Sequence, residues 1–116
     1  MLALGNLAKI FLYQEPTDLR KGFESLSSLI EASFTGELLT GAYFVFLNRP
    51  RNRMKVLYWD TDGLAIWYKR LEKGSFSKHH LTKPIIEKKQ FLMLLEGIIP
   101  KKIQKRFSLD QWDKKS

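Results

Sequence analysis

The stretch from Tyr43 to Phe76 constrains the fold more than any other part of this 116-residue chain. It runs YFVFLN, RPRN, RMKVLYWD, TDG and LAIWYKRLEKGSF, so apolar-rich segments alternate with short polar turns. Successive side chains of a strand point to opposite faces, and segments of this length joined by turns this tight fold as neighbours in an antiparallel meander. Residues 42–47 are apolar on both faces, which suits a central strand. The loop 48–52 holds Pro50 where position i+1 of a turn favours proline. Residues 53–59 alternate Met54, Val56 and Tyr58 with Lys55, Leu57 and Trp59. Asp60-Thr61-Asp62-Gly63 is a strong turn signal, with Gly63 able to take positive φ. Residues 64–71 complete the meander, and an extended piece is predicted over 76–81 after a turn at Gly74.

The flanks read as one strand and two helices. Residues 7–13 form the predicted first strand, stopped by Gln14-Glu15-Pro16. Thr17 is placed as an N-cap, with Asp18 in the first turn where the helix dipole favours negative charge. Leu19, Phe23, Leu26 and Ile30 then follow at spacings of four, three and four, one apolar helix face reaching about Ser33 and widened by Leu29. Gly22 lowers helix propensity and points to close packing of the helix on the sheet. Residues 84–96 form the second predicted helix, best defined over 88–96 by Phe91, Leu92, Leu94 and Leu95, with Gly97 as the C′ residue.

These elements predict an α+β domain: an antiparallel β-meander sheet of four to five strands with two main helices packed on it. A single sheet with one open face is the preferred picture, and a small, partly closed barrel the alternative. Residues 1–99 make one domain; residues 100–116 are a basic C-terminal tail or a short helix.

Composition limits the function classes. The chain has no cysteine, which excludes disulfides and thiolate metal sites. No apolar run approaches the roughly 20 residues of a membrane helix, and the apolar opening lacks the basic leader and cleavage site of a signal peptide. No membrane association is expected. The net charge of +8 is unevenly placed: residues 1–48 carry three basic and five acidic side chains, residues 49–116 seventeen and seven. Such asymmetry indicates a polyanionic partner, although many lysines also serve simply to keep a small protein soluble.

The chemistry on offer is basic and aromatic. Arg49, Arg51, Arg53 and Lys55 surround one hairpin, and Lys69, Arg70 and Lys73 follow the next strand, beside Tyr58, Trp59, Trp67 and Tyr68. This combination suits phosphate contacts with base stacking, while solvated loops and buried aromatics are the plainer reading. Arg20 and Lys21 sit where the helix dipole disfavours them, which points to a specific contact: Arg20 with Asp60 or Glu72, or a ligand phosphate. Asp60, Asp62 and Glu72 could be imagined as a Mg²⁺ set, but the Asp-Thr-Asp-Gly order is what a turn requires. His79 and His80 are adjacent, so on a strand they diverge and could not readily share a metal. No G-x-S-x-G elbow, P-loop or G-x-G-x-x-G is present. The expected sites are therefore nucleic-acid-binding, with no catalytic residue, metal or cofactor.

The blocks Pro16-Thr17-Asp18-Leu19-Arg20-Lys21-Gly22-Phe23, Phe44-Val45-Phe46, Lys55-Val56-Leu57-Tyr58-Trp59-Asp60, Asp62-Gly63-Leu64, Tyr68-Lys69-Arg70-Leu71-Glu72-Lys73-Gly74-Ser75-Phe76 and Leu94-Leu95-Glu96-Gly97-Ile98 occur in that order. Over about residues 8–98 the chain resembles the small accessory proteins, often called TnpB or Orf-two, of the insertion-sequence family numbered sixty-six. These differ from the RNA-guided nuclease that shares the TnpB name. The resemblance implies a cytoplasmic bacterial protein of a mobile element that assists transposition, with strand cutting left to a separate transposase. It implies no catalytic residues and puts weight on residues 16–23 and 68–76 as the functional surface. The chain departs from the family at Asn48-Arg49-Pro50-Arg51-Asn52, where many relatives have a Gly-rich basic turn. The expectation is a non-enzymatic accessory protein that binds DNA through Arg20, Lys21, Arg49, Arg51, Arg53, Lys55, Lys69, Arg70 and Lys73 and has the element's transposase as a partner. A module that docks on the transposase without touching DNA is the alternative.

Overall fold

The computed structural model describes residues 8–77 and 81–96. The predicted tail over 100–116, the C′ position of Gly97 and the His79-His80 pair lie outside the described residues. The elements are β1 (Ile10–Leu12), α1 (Phe23–Ser33), β2 (Tyr43–Leu47), β3 (Arg53–Asp60), β4 (Gly63–Arg70), β5 (Ile85–Ile86) and α2 (Lys88–Glu96). They build one five-stranded sheet in the order β4-β3-β2-β1-β5.

The meander β2-β3-β4 forms as its alternation requires, with Val45 opposite Val56 and Val56 opposite Trp67. β1 adds to β2 in parallel, Phe11 opposite Phe44. A parallel neighbour cannot be reached by a tight turn, so α1 serves as the crossover between them. The α+β class with a mostly antiparallel sheet holds, and β1 and β2 are its one parallel pair among the described strands. Among the described strands the sheet is open, with β4 and β5 at its edges, and not a partly closed barrel.

Both faces are covered, which corrects the expectation of one open face. On one side Phe11, Phe44, Phe46 and Leu57 pack with Leu26 and Ile30 of α1. On the other, Leu12, Val45, Leu47, Met54 and Val56 pack with Phe76, Ile86, and Phe91 and Leu94 of α2. The cause is β2 itself: it is buried at all five positions, so each of its two rows needs its own cover. Burying each such side chain contributes about 1.5–3 kcal/mol.

Local expectations are also corrected. Thr17 does not cap α1, which starts at Phe23 with Gly22 as its N-cap. Thr17 is instead buried; its N–H donates to the Leu47 carbonyl (2.8 Å) and its hydroxyl to that of Glu15 (3.2 Å). A Cβ placed on Gly22 would meet nothing within 4 Å, so close packing does not explain that glycine. Near Pro84 the chain is extended rather than helical. The Leu12 N–H bonds the Pro84 carbonyl and Ile86 pairs with Ile10, so β5 precedes α2. The helix then opens at Glu87, whose N–H donates to the Gln90 side-chain oxygen (2.9 Å), half of a capping box. Residues 76–77 and 81, from the extended piece predicted over 76–81, are not in a strand; Phe76 is wholly buried as a core residue.

Candidate nucleic-acid interface

The hairpin between β2 and β3 is held by its own asparagines. Asn48 donates from Nδ2 to Asn52 Oδ1 (2.7 Å), and Asn48 Oδ1 accepts the Arg53 N–H (3.0 Å). Arg51 has φ 57°, a conformation that non-glycine residues adopt rarely. Two further segments hold the tip from behind. The chain after β4 brings the Leu71 N–H to the Asn52 carbonyl (2.8 Å) and the Phe76 N–H to the Arg51 carbonyl (2.6 Å). Gly74, at φ 76°, makes the turn that this return needs. The loop 16–22 is tied to the end of β2 through Thr17 and Leu47.

That loop is organised by Asp18. Its carboxylate accepts the Arg20 N–H (3.0 Å) and three guanidinium bonds (as short as 2.6 Å), while its carbonyl accepts the Lys21 N–H (3.1 Å). The Arg20 side chain, and then its backbone N–H, hold the Asp18 carboxyl well below the usual carboxylate range; Asp18 in turn raises Arg20. The Arg20 contact foreseen with Asp60 or Glu72 is thus made with Asp18. Glu72 pairs instead with Arg70 (3.1 Å). Both pairs are exposed and screened by solvent, so neither adds much to stability. Their main effect is to neutralise the carboxylates near the hairpin.

Between the hairpin and the loop lies an open cleft of about 430 Å³, with Thr17, Asp18 and Arg20 on one wall and Asn48, Arg49 and Arg53 on the other. With Asp18 satisfied by Arg20, Arg49 and Arg53 give the cleft its net positive charge. All nine basic residues selected from the sequence lie at this end of the sheet or on loops attached to it, though not on one face. The pairing Lys55↔Tyr68 and Arg53↔Arg70 puts these four on the α1 side, and Met54↔Lys69 puts Lys69 on the other. Arg49 and Arg51 occupy the tip, and Lys73 an exposed turn. Lys55 is engaged in the fold: its ammonium donates to the Lys21 carbonyl (2.8 Å) and lies 4.9 Å above the Tyr68 ring. Arg53 donates to the Tyr68 hydroxyl (3.2 Å). Among the described residues, Arg49, Arg51, Arg53, Lys69 and Lys73 have no carboxylate partner.

The aromatics divide. Tyr58 and Trp67 are half-buried and pack against the α2-side core, and Trp59 is also half-buried. Burial raises the Tyr58 phenol, helped by Asp60 and Tyr43. Tyr68 is 47% exposed, with Arg53 on its hydroxyl and Lys55 over one face, and is the most exposed of these four rings, with its other face left for stacking.

The acidic residues are arranged otherwise. Asp60 pairs with Gly63 across the far turn, and it is Thr61, not Gly63, that takes positive φ (57°). The Asp62 N–H bonds the Asp60 carbonyl. The length of β4 separates this turn from Glu72, roughly 26 Å at ~3.3 Å per residue, so the three carboxylates cannot share a metal ion. No group of three potential metal ligands occurs among the described residues. Sequence reasoning missed Asn48, Asn52 and the bracing role of Asp18. The signals available were two asparagines flanking a hairpin tip and an Asp two residues before an Arg, a local turn pattern.

A family model described as IS66 Orf2 like protein matches residues 8–105. Two curated relatives come from Sinorhizobium fredii. The uncharacterized protein y4jC is 31% identical over 68 residues, 59% of this chain and 58% of the relative. The uncharacterized protein y4hO is 33% identical over 76 residues, 66% of each. The chain therefore spans about three fifths to two thirds of the length of these relatives. No solved structure matches.

Proposed function

The chain belongs to the IS66 Orf2-like family, an accessory group of insertion-sequence proteins, and from that premise we propose that it is a non-enzymatic accessory protein gripping DNA at the hairpin end of its sheet. One observation carries this reading. Three separate segments converge there, and the nearby carboxylates of Asp18 and Glu72 are already paired, leaving Arg49, Arg51 and Arg53 without acidic partners among the described residues. Arginine without a carboxylate partner, on a braced turn, suits phosphate contact. The cleft beside Arg49 and Arg53 accommodates a backbone phosphate, and Tyr68 offers a face for a base. Phosphate contacts position a protein without reading sequence, so modest specificity is expected. The element's transposase is the proposed protein partner and the cytoplasm the proposed location. No helix among the described residues is long and apolar enough to cross a membrane.

The test is a salt-titrated anisotropy assay with labelled terminal repeats of the parent element and a scrambled duplex. If about six phosphates are neutralised, log K falls against log salt with a slope near −5. Replacing Arg49, Arg51 and Arg53 together by Ala should remove about half of that slope. Absence of binding at low salt refutes the reading and moves the protein to the class that docks its basic surface on an acidic surface of the transposase.

A further inference from the structure

β4 is an edge strand of unusual openness. All eight of its residues keep unbroken register with β3, from Arg53↔Arg70 to Asp60↔Gly63, so no bulge interrupts it. Among the described residues no strand lies on its outer side. The Leu71 N–H bonds the Asn52 carbonyl, which makes that pair a hydrogen-bonded one. Such pairs alternate along an antiparallel ladder, so residues 69, 67, 65 and 63 bond inward to β3. Leu64, Ile66, Tyr68 and Arg70 therefore direct both their N–H and C=O groups outward. Edges are commonly protected by a charge, a proline or a bulge near the middle. Here the middle, residues 64–68, is LAIWY, half-buried over 64–67 and exposed at Tyr68. Charge stands only at the two ends, and with opposite net sign: Asp60 and Asp62 at one, and at the other Lys69, Arg70 and Lys73 with Glu72, which holds Arg70 in the single subunit and would share it with Asp62 of a second copy.

We infer that β4 pairs antiparallel with β4 of a second copy of this chain, about a two-fold axis through Ile66, joining two five-stranded sheets. This register is the one that places Arg70 opposite Asp62 of the second copy while keeping the outward-directed residues hydrogen-bonded to each other. It sets Leu64 against Tyr68 on the α1 side and Ala65 against Trp67 on the α2 side. Aromatic pairs of this kind add to sheet pairing. A nucleic acid satisfies only the basic end of the edge, and an acidic peptide likewise. A second copy matches the acidic end, the apolar middle and the basic end together. The pairing also puts the two hairpin tips, with Arg49 and Arg51, at opposite ends of the joined sheet and outside the seam, while Tyr68 and Arg70 enter it.

Sedimentation equilibrium of the full chain, nuclease-treated and in high salt, should give twice the 13.6 kDa monomer mass. Because the chain has no cysteine, Ile66→Cys introduces a single thiol, opposite its own copy across a hydrogen-bonded pair with Cα atoms about 5.5 Å apart, within disulfide reach. Mild oxidation should cross-link it, and should not cross-link Leu39→Cys, which is exposed away from the edge. Ile66→Pro removes an N–H that bonds nothing inside the subunit and should yield a folded monomer. Should that variant fail to fold, Asp62→Arg gives the same information, because two symmetry-related like-charge contacts should weaken the dimer about tenfold. A monomer across the whole concentration series overturns the inference. So does a dimer in which Ile66→Cys cross-links no better than Leu39→Cys, or one unaffected by Asp62→Arg.

Discussion

The two turns of the meander make a controlled comparison. Each reverses an antiparallel pair, and each contains one non-glycine residue at φ 57°, Arg51 in one and Thr61 in the other. There the likeness ends. The turn at 48–52 is cross-linked by Asn48 and Asn52 and held from behind by residues 71 and 76, with the loop 16–22 alongside. The turn at 60–63 has the Asp62 N–H on the Asp60 carbonyl and the β3–β4 ladder behind it. The braced turn is basic and the unbraced one acidic. Bracing sets the unpartnered guanidinium groups on a preorganised support, so less conformational freedom is lost when they meet a ligand. The acidic turn has no such requirement.

The largest effect should come from the core residue behind the braced turn. Phe76→Ala empties a fully buried site and should cost about 3–5 kcal/mol in urea unfolding. If it costs no more than Ala at half-buried Trp59 beside the other turn, the hairpin end is not the better-supported one. Next, Asn48→Ala removes two hydrogen bonds and should destabilise by about 1–2 kcal/mol, whereas Asp62→Ala, exposed and at the other turn, should stay within about 0.5 kcal/mol. Equal losses would erase the contrast. Thr61→Gly should stabilise by up to about 1 kcal/mol, since a β-branched residue is strained at positive φ. Arg51→Gly relieves similar backbone strain but loses a cation, so it should hold stability and weaken DNA binding.

The smallest effect concerns pH. The folded Asp18 carboxyl lies below its ordinary value of 3.8, chiefly through the Arg20 side chain. A depressed carboxylate contributes stability above its unfolded pKa and loses it as pH falls through the lower folded value. Thermal unfolding of the protein and of Asp18→Asn should therefore coincide in strong acid and separate above about pH 4, with the native sequence ahead. The pair is solvent-exposed, so the gap should be slight and should shrink with salt. A gap that opens instead in acid would mean that Asp18 is not held by Arg20.

The comparison also shows what a linear reading could and could not reach. The two turns were legible as turns because Asn48 to Asn52 and Asp60 to Gly63 carry local chemistry that does not depend on the rest of the chain. The helix over 88–96 and the Leu26 and Ile30 part of the first apolar face were legible through their spacing, whereas Phe23, set on that face by the same spacing, is 48% exposed and Leu19 is buried before the helix begins. Thr17 misled because a Thr after Pro16 has the composition of a cap, and only the nearby Leu47 carbonyl decides where its N–H goes. Ile85 and Ile86 misled for the same reason: a two-residue strand leaves no periodicity to detect, and Ile10 supplies its partner from 76 positions away.

By itself, then, the sequence determined the meander, the two helix stripes and the inventory of basic and aromatic groups, because period, turn chemistry and charge are properties of neighbouring residues. Tertiary structure decided that β1 runs parallel to β2 and that the two helices cover opposite faces. It decided that Arg20 and Arg70 are neutralised while Arg49, Arg51 and Arg53 have no acidic partner among the described residues, and that Tyr68 is the most exposed of the four rings beside them. Each of these depends on which distant carbonyl, carboxylate or apolar row a group meets once the sheet has formed, and that pairing is settled only when both rows of β2 are buried.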